Sequence, residues 1–244
     1  MKPRLLIISD TRMRKYGNSF QAFEPVVREV SAFQNLFSKI TWIGFRYDNT
    51  KNDPGPFADI NYQIKTIMLN PSGGETLLKK ILIIPKLPRY IYLIFKNILL
   101  SDVIHTRSPS IPAFIAIILS YIFPYRKYWN KYAGNWVQND PPFSYALQKK
   151  VMEFCTNSIV TINGKWYNQK KHVHTFLNPC FDQSEYLTAK EIAGSKNYSG
   201  KLNLCFVGRM EAAKGPELFI DALEALQNKK EIGHIYCVGE GPEN

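Results

Sequence analysis

The sequence shows no paired cysteine spacing, no apolar run long enough to cross a bilayer and no acidic excess. Its four cysteines, Cys155, Cys180, Cys205 and Cys237, do not suggest a disulfide framework, and Cys205 and Cys237 fall inside apolar strand-like runs. Buried reduced thiols in a cytosolic compartment are therefore expected. After Met1-Lys-Pro-Arg only Leu5-Leu-Ile-Ile precedes Ser9-Asp10, too short for a secretory signal. Helix-turn-helix, zinc-ligand and RNP-like patterns are all missing, so no nucleic acid partner is expected. His172 and His174 alternate on an expected strand without a third ligand at suitable spacing, and no metal site is assigned.

What the sequence does have is positive charge, unevenly placed. The net charge is +11 over 244 residues. Residues 1–200 carry 26 Lys and Arg against 13 Asp and Glu, whereas residues 201–244 carry 5 against 7. Two different surfaces follow. The basic part suits anionic lipid or a phosphorylated substrate, or is simply a solvated face. The stretch Ile81 to Leu100 is apolar and aromatic but interrupted by Pro85, Lys86, Pro88, Arg89 and Lys96. It does not span a membrane. Through Tyr90, Tyr92 and Phe95 it reads either as a helix lying on an anionic membrane surface or as packing between domains or in the core.

Apolar runs alternate with helical segments along the chain. Leu5 to Ile8 reads as a strand, Thr11 to Asn18 as a basic turn and Ser19 to Phe37 as a helix; Thr41 to Phe45 is the next strand. A strand near 62–68, helical segments over 75–84 and 89–100, and a strand Asp102 to His105 continue the pattern. A helix at 110–122 then leads to the strand Lys127 to Tyr132, a helix to Phe154, a strand Ser158 to Ile162 and a helix from about Gly164. This order argues for an α/β fold with a mostly parallel sheet covered on both faces. Residues 178–201, rich in Asn, Ser and Gly, read as an interdomain segment with a short helix at 184–192. At Leu202 to Val207 a second βαβ unit starts, with a helix Pro216 to Leu226 and a strand His234 to Val238. Two strands and one helix cannot cover both faces of a sheet, so this domain is expected to be incomplete in the chain.

The sharpest chemical signal is Gly208-Arg-Met-Glu-Ala-Ala-Lys-Gly215. A glycine ending a buried strand allows a tight turn, and the helix that follows aims free N–H groups at the same crevice. Arg209 can clamp phosphate oxygens as a fork, and Lys214 adds a second positive charge beside the helix start. It is neither the dinucleotide fingerprint nor the Gly-Lys-Ser/Thr phosphate loop. Gly239-Glu240-Gly241-Pro242 ends the next strand and is expected beside the first turn at the same sheet edge, which favours a nucleotide site over an ordinary turn. Other candidates are weaker. His105 and Asp10 follow strands, where cleft facing and capping compete, while Trp129, Tyr132 and Trp136 suit either an acceptor groove or the core.

Phe206-Val-Gly-Arg-Met-Glu-Ala-Ala-Lys-Gly-Pro216 followed by Val238-Gly-Glu-Gly-Pro242 resembles the start of the C-terminal domain in the large retaining glycosyltransferase family 4, the group 1 glycosyltransferases. Asp102-Val-Ile-His105 with Arg107, Ser158-Ile-Val-Thr-Ile-Asn163, and Phe176-Leu-Asn-Pro179 with Asp182 are similar to its earlier segments. The resemblance implies a glycosyltransferase B fold with two Rossmann-like domains. An acceptor-side domain would occupy residues 1–177, the interdomain segment 178–201, and the first part of the nucleotide-sugar domain 202–244.

By resemblance, Arg209 and Lys214 hold the donor diphosphate and stabilise the leaving group, Gly208 lies against it, and Gly239, Glu240 and Gly241 lie near base or ribose. His105 is a further catalytic candidate, and Arg12, Gly17, Arg107, Gly134 and Trp136 are acceptor-side candidates. No tightly bound cofactor is implied. The donor is a nucleoside diphosphate sugar, the transferred group a hexose, and the acceptor a surface-polysaccharide or lipid-linked saccharide. The implied location is cytoplasmic, with peripheral contact to the cytoplasmic membrane.

Three departures stand out. The family's glycine-rich N-terminal loop is matched only by Gly17 with Arg12, Arg14 and Lys15; its His-Gly is Ala133-Gly134; and its later glutamate pair is not found before Asn244. A sugar-nucleotide epimerase or phosphorylase of similar fold, or an inactive nucleotide- or partner-binding fragment, are the competing readings.

Overall fold

The computed structural model describes residues 2–47, 56–72, 82–177 and 181–241. The chain divides into two compact units, Met1–Cys180 and Phe181–Asn244.

The first unit is built on a nine-stranded sheet. Its strands are β1 (Arg4–Tyr16), β2 (Ser19–Phe23), β3 (Lys39–Arg46), β4 (Phe57–Asp59), β5 (Ile64–Leu69), β6 (Val103–Ser108), β7 (Lys127–Tyr132), β8 (Ser158–Asn163) and β9 (Val173–Phe176). Seven of them form a parallel run in the order β5, β3, β1, β6, β7, β8, β9. The described helices of this unit are α1 (Glu24–Ser31), α2 (Leu87–Leu99), α3 (Ile111–Ile122) and α4 (Phe143–Phe154). Side chains alternate across a strand, so the continuous run Leu5 to Ile8 buries both faces. Leu5 and Ile7 pack with Trp42, Val27 and Val30 under α1, while Leu6 and Ile8 meet Tyr90, Ile94 and Ile98 of α2 and Ala116 of α3. The covered parallel sheet expected from the alternation is present.

Several local expectations need correction. Thr11 to Asn18 is not a loop leading into a helix: β1 runs on to Tyr16, and β2 returns antiparallel with Tyr16 opposite Ser19 and Met13 opposite Ala22. Gly17, at φ 56, supplies the positive φ that this two-residue hairpin turn requires. The helix starts only at Glu24, with Pro25 in its first turn, and ends at Ser31. Phe20, Phe33 and Phe37 still pack on the core, from a strand and from turns rather than from one helical face.

No helix begins at Gly164; turns lead directly to β9. Tyr90 is a core residue whose hydroxyl donates to the Asn70 carbonyl, not a membrane anchor. The segment expected as a helix over 75–84 falls largely outside the described residues.

The second unit contains α5 (Gln183–Ser195), β10 (Leu202–Val207), α6 (Pro216–Ala225) and β11 (Ile232–Val238), with β10 and β11 parallel. Asp182 and Glu185 form a reciprocal capping box that starts α5. Cys205 and Cys237 are exposed here, contrary to the expectation of buried thiols, whereas Cys155 of the first unit is buried. An apolar strand buries its side chains only where another layer covers them.

Candidate functional site

In the second unit the two glycine turns lie against each other. The Gly208 N–H donates to the Val238 carbonyl at 3.0 Å and the Met210 N–H to the Glu240 carbonyl at 3.1 Å, extending the β10 and β11 ladder past the strand ends. A Cβ at Gly239 would lie 1.7 Å from the Gly208 carbonyl oxygen, and one at Gly241 2.0 Å from that of Met210. Both must be glycine because the neighbouring turn occupies that space. Gly208 differs: its Cβ position meets only the Phe206 ring, at 3.5 Å, an ordinary contact.

Arg209 is exposed and pairs with Glu211 at 3.2 Å. Lys214 ends a short 3-10 turn, and Gly215 at φ 71 leads into α6, which opens on Pro216 without a side-chain cap. Arg209, Lys214 and the uncapped start of α6 all follow the carboxyl end of β10.

At the carboxyl ends of β6 and β7 in the first unit lies a buried ionic cluster. Glu29 of α1 accepts from Arg107 at 2.5 Å and from Lys131 at 2.9 Å, both on one oxygen. The side chains of Glu29, Arg107 and Lys131 are 10%, 12% and 1% exposed. Burial opposes the Glu29 carboxylate, but Arg107 and Lys131 together outweigh it and hold its pKa below the ordinary value.

His105 of β6 is fully buried, packed against Trp129 with the rings tilted by 35° and their centroids 3.9 Å apart, and its Nδ1 is 3.1 Å from the Trp129 carbonyl. Burial first, then Arg107, pushes its pKa down to about 3. It is a neutral residue enclosed in the first unit's core, not the exposed group expected of a catalytic histidine. Arg107 is likewise mostly enclosed by its ion pair.

The remaining candidates are spread out. Arg12 is exposed, its guanidinium 5.6 Å from the Tyr47 ring centroid, and Gly17 is at the hairpin tip. Gly134 and Trp136 lie in the segment after β7, where Trp136 is buried edge-on to Tyr132 at 5.1 Å. Glu29 and Lys131 were not singled out from the sequence. A lysine inside an aromatic strand was the available signal, because such a charge is buried only with a partner. Among the described residues no group of three or more His, Cys, Asp or Glu could hold a metal ion, and no helix is long and apolar enough to cross a membrane.

No family model and no curated protein sequence matches the chain. Solved structures do. HepE of Anabaena, in complex with UDP, superposes with a TM-score of 0.52 at 13% identity, covering 99% of this chain and 61% of its own. Sucrose-phosphate synthase of Thermosynechococcus elongatus gives 0.50 at 15% identity, with 98% and 62% covered. The fold is of the glycosyltransferase B type. The chain spans about three fifths of these two proteins' length. At such low identity the likeness carries the architecture, and the chemistry has to be argued from this chain's own residues.

Proposed function

We propose that the protein is a retaining glycosyltransferase that moves a sugar, a hexose by its family resemblance, from a nucleoside diphosphate sugar to a hydroxyl of a saccharide or lipid-linked saccharide. The observation that carries this reading is the pair of interlocked glycine turns in the second unit, with Arg209, Lys214 and the start of α6 following them. Such a helix start attracts phosphate, and Arg209 and Lys214 neutralise the charge that develops on the departing diphosphate. The UDP bound by HepE, a protein of the same fold, supports a nucleoside diphosphate as the ligand. In this reading Gly208 leaves room for the diphosphate, and Gly239, Glu240 and Gly241 lie toward base and ribose. The first unit takes the acceptor, with Arg12, Gly17, Arg107, Gly134 and Trp136 as its contributors.

Arg209→Ala and Lys214→Ala are each expected to weaken UDP binding about 10- to 100-fold, the worth of a charge-assisted phosphate contact, and to leave uridine binding nearly unchanged. Calorimetry on folded variants measures both. Equal losses for UDP and uridine would count against the assignment. In turnover assays a glycosidic product is expected; interconversion of the sugar nucleotide without acceptor would identify an epimerase instead.

The acceptor domain is also proposed to rest on an anionic membrane surface. Ile91, Tyr92 and Leu99 of α2 and Ile118, Tyr121 and Ile122 of α3 are exposed, and Phe95 of α2 meets Phe123, the residue after α3, with ring centroids 5.4 Å apart. Arg89 and Lys96 lie among them, whereas Lys86 is engaged with the Pro71 carbonyl. Apolar side chains with interspersed cations combine shallow burial with attraction to anionic lipid. The Arg89→Gln, Lys96→Gln double variant should float less with phosphatidylserine vesicles, and raising the salt should act on the parent in the same direction. A parent that does not float at low salt would rule out the membrane role.

A further inference from the structure

Two adjoining cavities of about 260 and 320 Å³ open beside β7 and β8 in the first unit, sharing Trp136, Lys149 and Glu153. They are separate in residue content from the ionic cluster of Glu29, Arg107 and Lys131. Their walls come from the segments that follow β7 and β8, together with the flank of α4.

Three aromatic residues, Trp136, Trp166 and Tyr167, line the first cavity, and two of them are held in place. Trp136 packs edge-on against Tyr132, with the Lys149 ammonium 5.1 Å from its ring centroid. The Trp166 indole N–H donates to the Asn163 carbonyl at 3.0 Å, while its backbone N–H donates to Gln169 Oε1 at 2.7 Å. Beside it Tyr167 is fully exposed, its ring open to water. Lys149, Lys150 and Lys170 line the two cavities against the single acidic residue Glu153.

The part-exposed Trp166 ring and the open Tyr167 ring, next to ammonium and amide groups, match the chemistry of a sugar. The negative face of an aromatic ring attracts the weakly positive C–H face of a pyranose, and a ring already locked loses little entropy on binding. Amide and ammonium donors meet the hydroxyls, and a surplus of lysines meets carboxylate substituents with charge-assisted bonds. A purely apolar ligand would leave three ammonium groups without use, and a bare anion would leave the rings without use.

We propose that this groove of the first unit binds a carboxylate-bearing oligosaccharide, a uronate-containing chain segment. Its role as an anchor for a growing acceptor rests on the glycosyltransferase reading; the binding itself does not.

The probe is tetragalacturonate, titrated by calorimetry and tryptophan fluorescence without any donor. Maltotetraose serves as the neutral saccharide and tetraglutamate as an equally charged peptide. Tetragalacturonate is expected to bind at least about tenfold more tightly than either control, a difference of roughly 1.4 kcal/mol. Tyr167→Ala and the double variant Lys149→Gln, Lys170→Gln should each reduce its affinity by a similar factor. Tyr167 is fully exposed, so its replacement leaves the core intact, and circular dichroism checks both variants.

Equal binding of tetraglutamate would reduce the groove to general basicity and overturn the proposal, as would unchanged affinity in both variants or no binding of tetragalacturonate. UDP titrated into the same preparation keeps the two readings separate. UDP binding without tetragalacturonate binding removes the groove and leaves the donor site standing. The reverse result removes the donor site and leaves the groove.

Discussion

Glu29→Ala should lower the stability of the protein by about 3–5 kcal/mol in urea unfolding at pH 7, the cost of breaking a buried ion pair by removing one partner. Lys131, only 1% exposed, and Arg107 would both lose the carboxylate oxygen they share. Glu29→Leu combined with Lys131→Met should cost less than the sum of the single changes, because the contact between the two side chains is lost once in the double variant but counted twice in the sum. A stable Glu29→Ala variant would mean the ion pair is not formed in solution.

The same cluster gives the stability a pH dependence whose sign follows from the two shifts. His105 is pushed down to about 3 in the folded protein, against an ordinary value near 6.5. Between those values the unfolded chain binds a proton that the native core refuses, so stability is full above about pH 6.5 and falls as the pH drops toward 3. Glu29 acts in the same direction at lower pH. Its contribution is complete above the ordinary glutamate range and is lost as the pH falls through its depressed folded value. Urea midpoints should therefore decline from pH 7 to pH 4, and His105→Leu should flatten the upper part of that decline. A flat profile in the parent would contradict the burial of His105.

Gly239→Ala and Gly241→Ala should each destabilise the second unit by at least about 3 kcal/mol, and Gly208→Ala should not. At the first two positions the added methyl would meet backbone carbonyl oxygens of the opposite turn, which cannot rotate away as a flexible side chain would. Gly239 also sits at φ 150, a region that side-chain-bearing residues avoid. Gly208→Ala meets only the Phe206 ring, so it should fold yet bind UDP more weakly if the diphosphate approaches that backbone. Limited proteolysis read by mass spectrometry reports the first effect and calorimetry the second. Parent-like protection of Gly239→Ala and Gly241→Ala would show that the turns are not packed together.

The interlocked turns show where sequence reading is strong. Gly208 and Gly239 each follow an apolar run of strand length with one helical segment between them. A parallel βαβ unit must bring such turns to one sheet edge. The first unit's alternation was equally legible, since strands buried on both faces appear as continuous apolar runs, as Leu5 to Ile8 does within β1.

The hairpin was not legible, for a definite reason. Phe20, Phe23, Val27 and Val30 satisfy a helical spacing, while Met13, Phe20 and Ala22 satisfy a strand pairing, and only the neighbours decide which pattern is buried. Here β2 pairs with β1 on one side and β4 on the other, and those backbone bonds override the helical pattern.

Composition and period thus determined the α/β class, the basic first part and the paired glycine turns, because these depend on residues close together in the chain. Tertiary structure alone decided that His105 is a neutral core residue, that Glu29 holds Lys131 across 102 positions, and that Trp136 and Lys149 meet at one groove. Each of those depends on desolvation or on a contact between separate elements of the fold. Neither leaves a periodic trace in the chain, and both set the chemistry of a buried group.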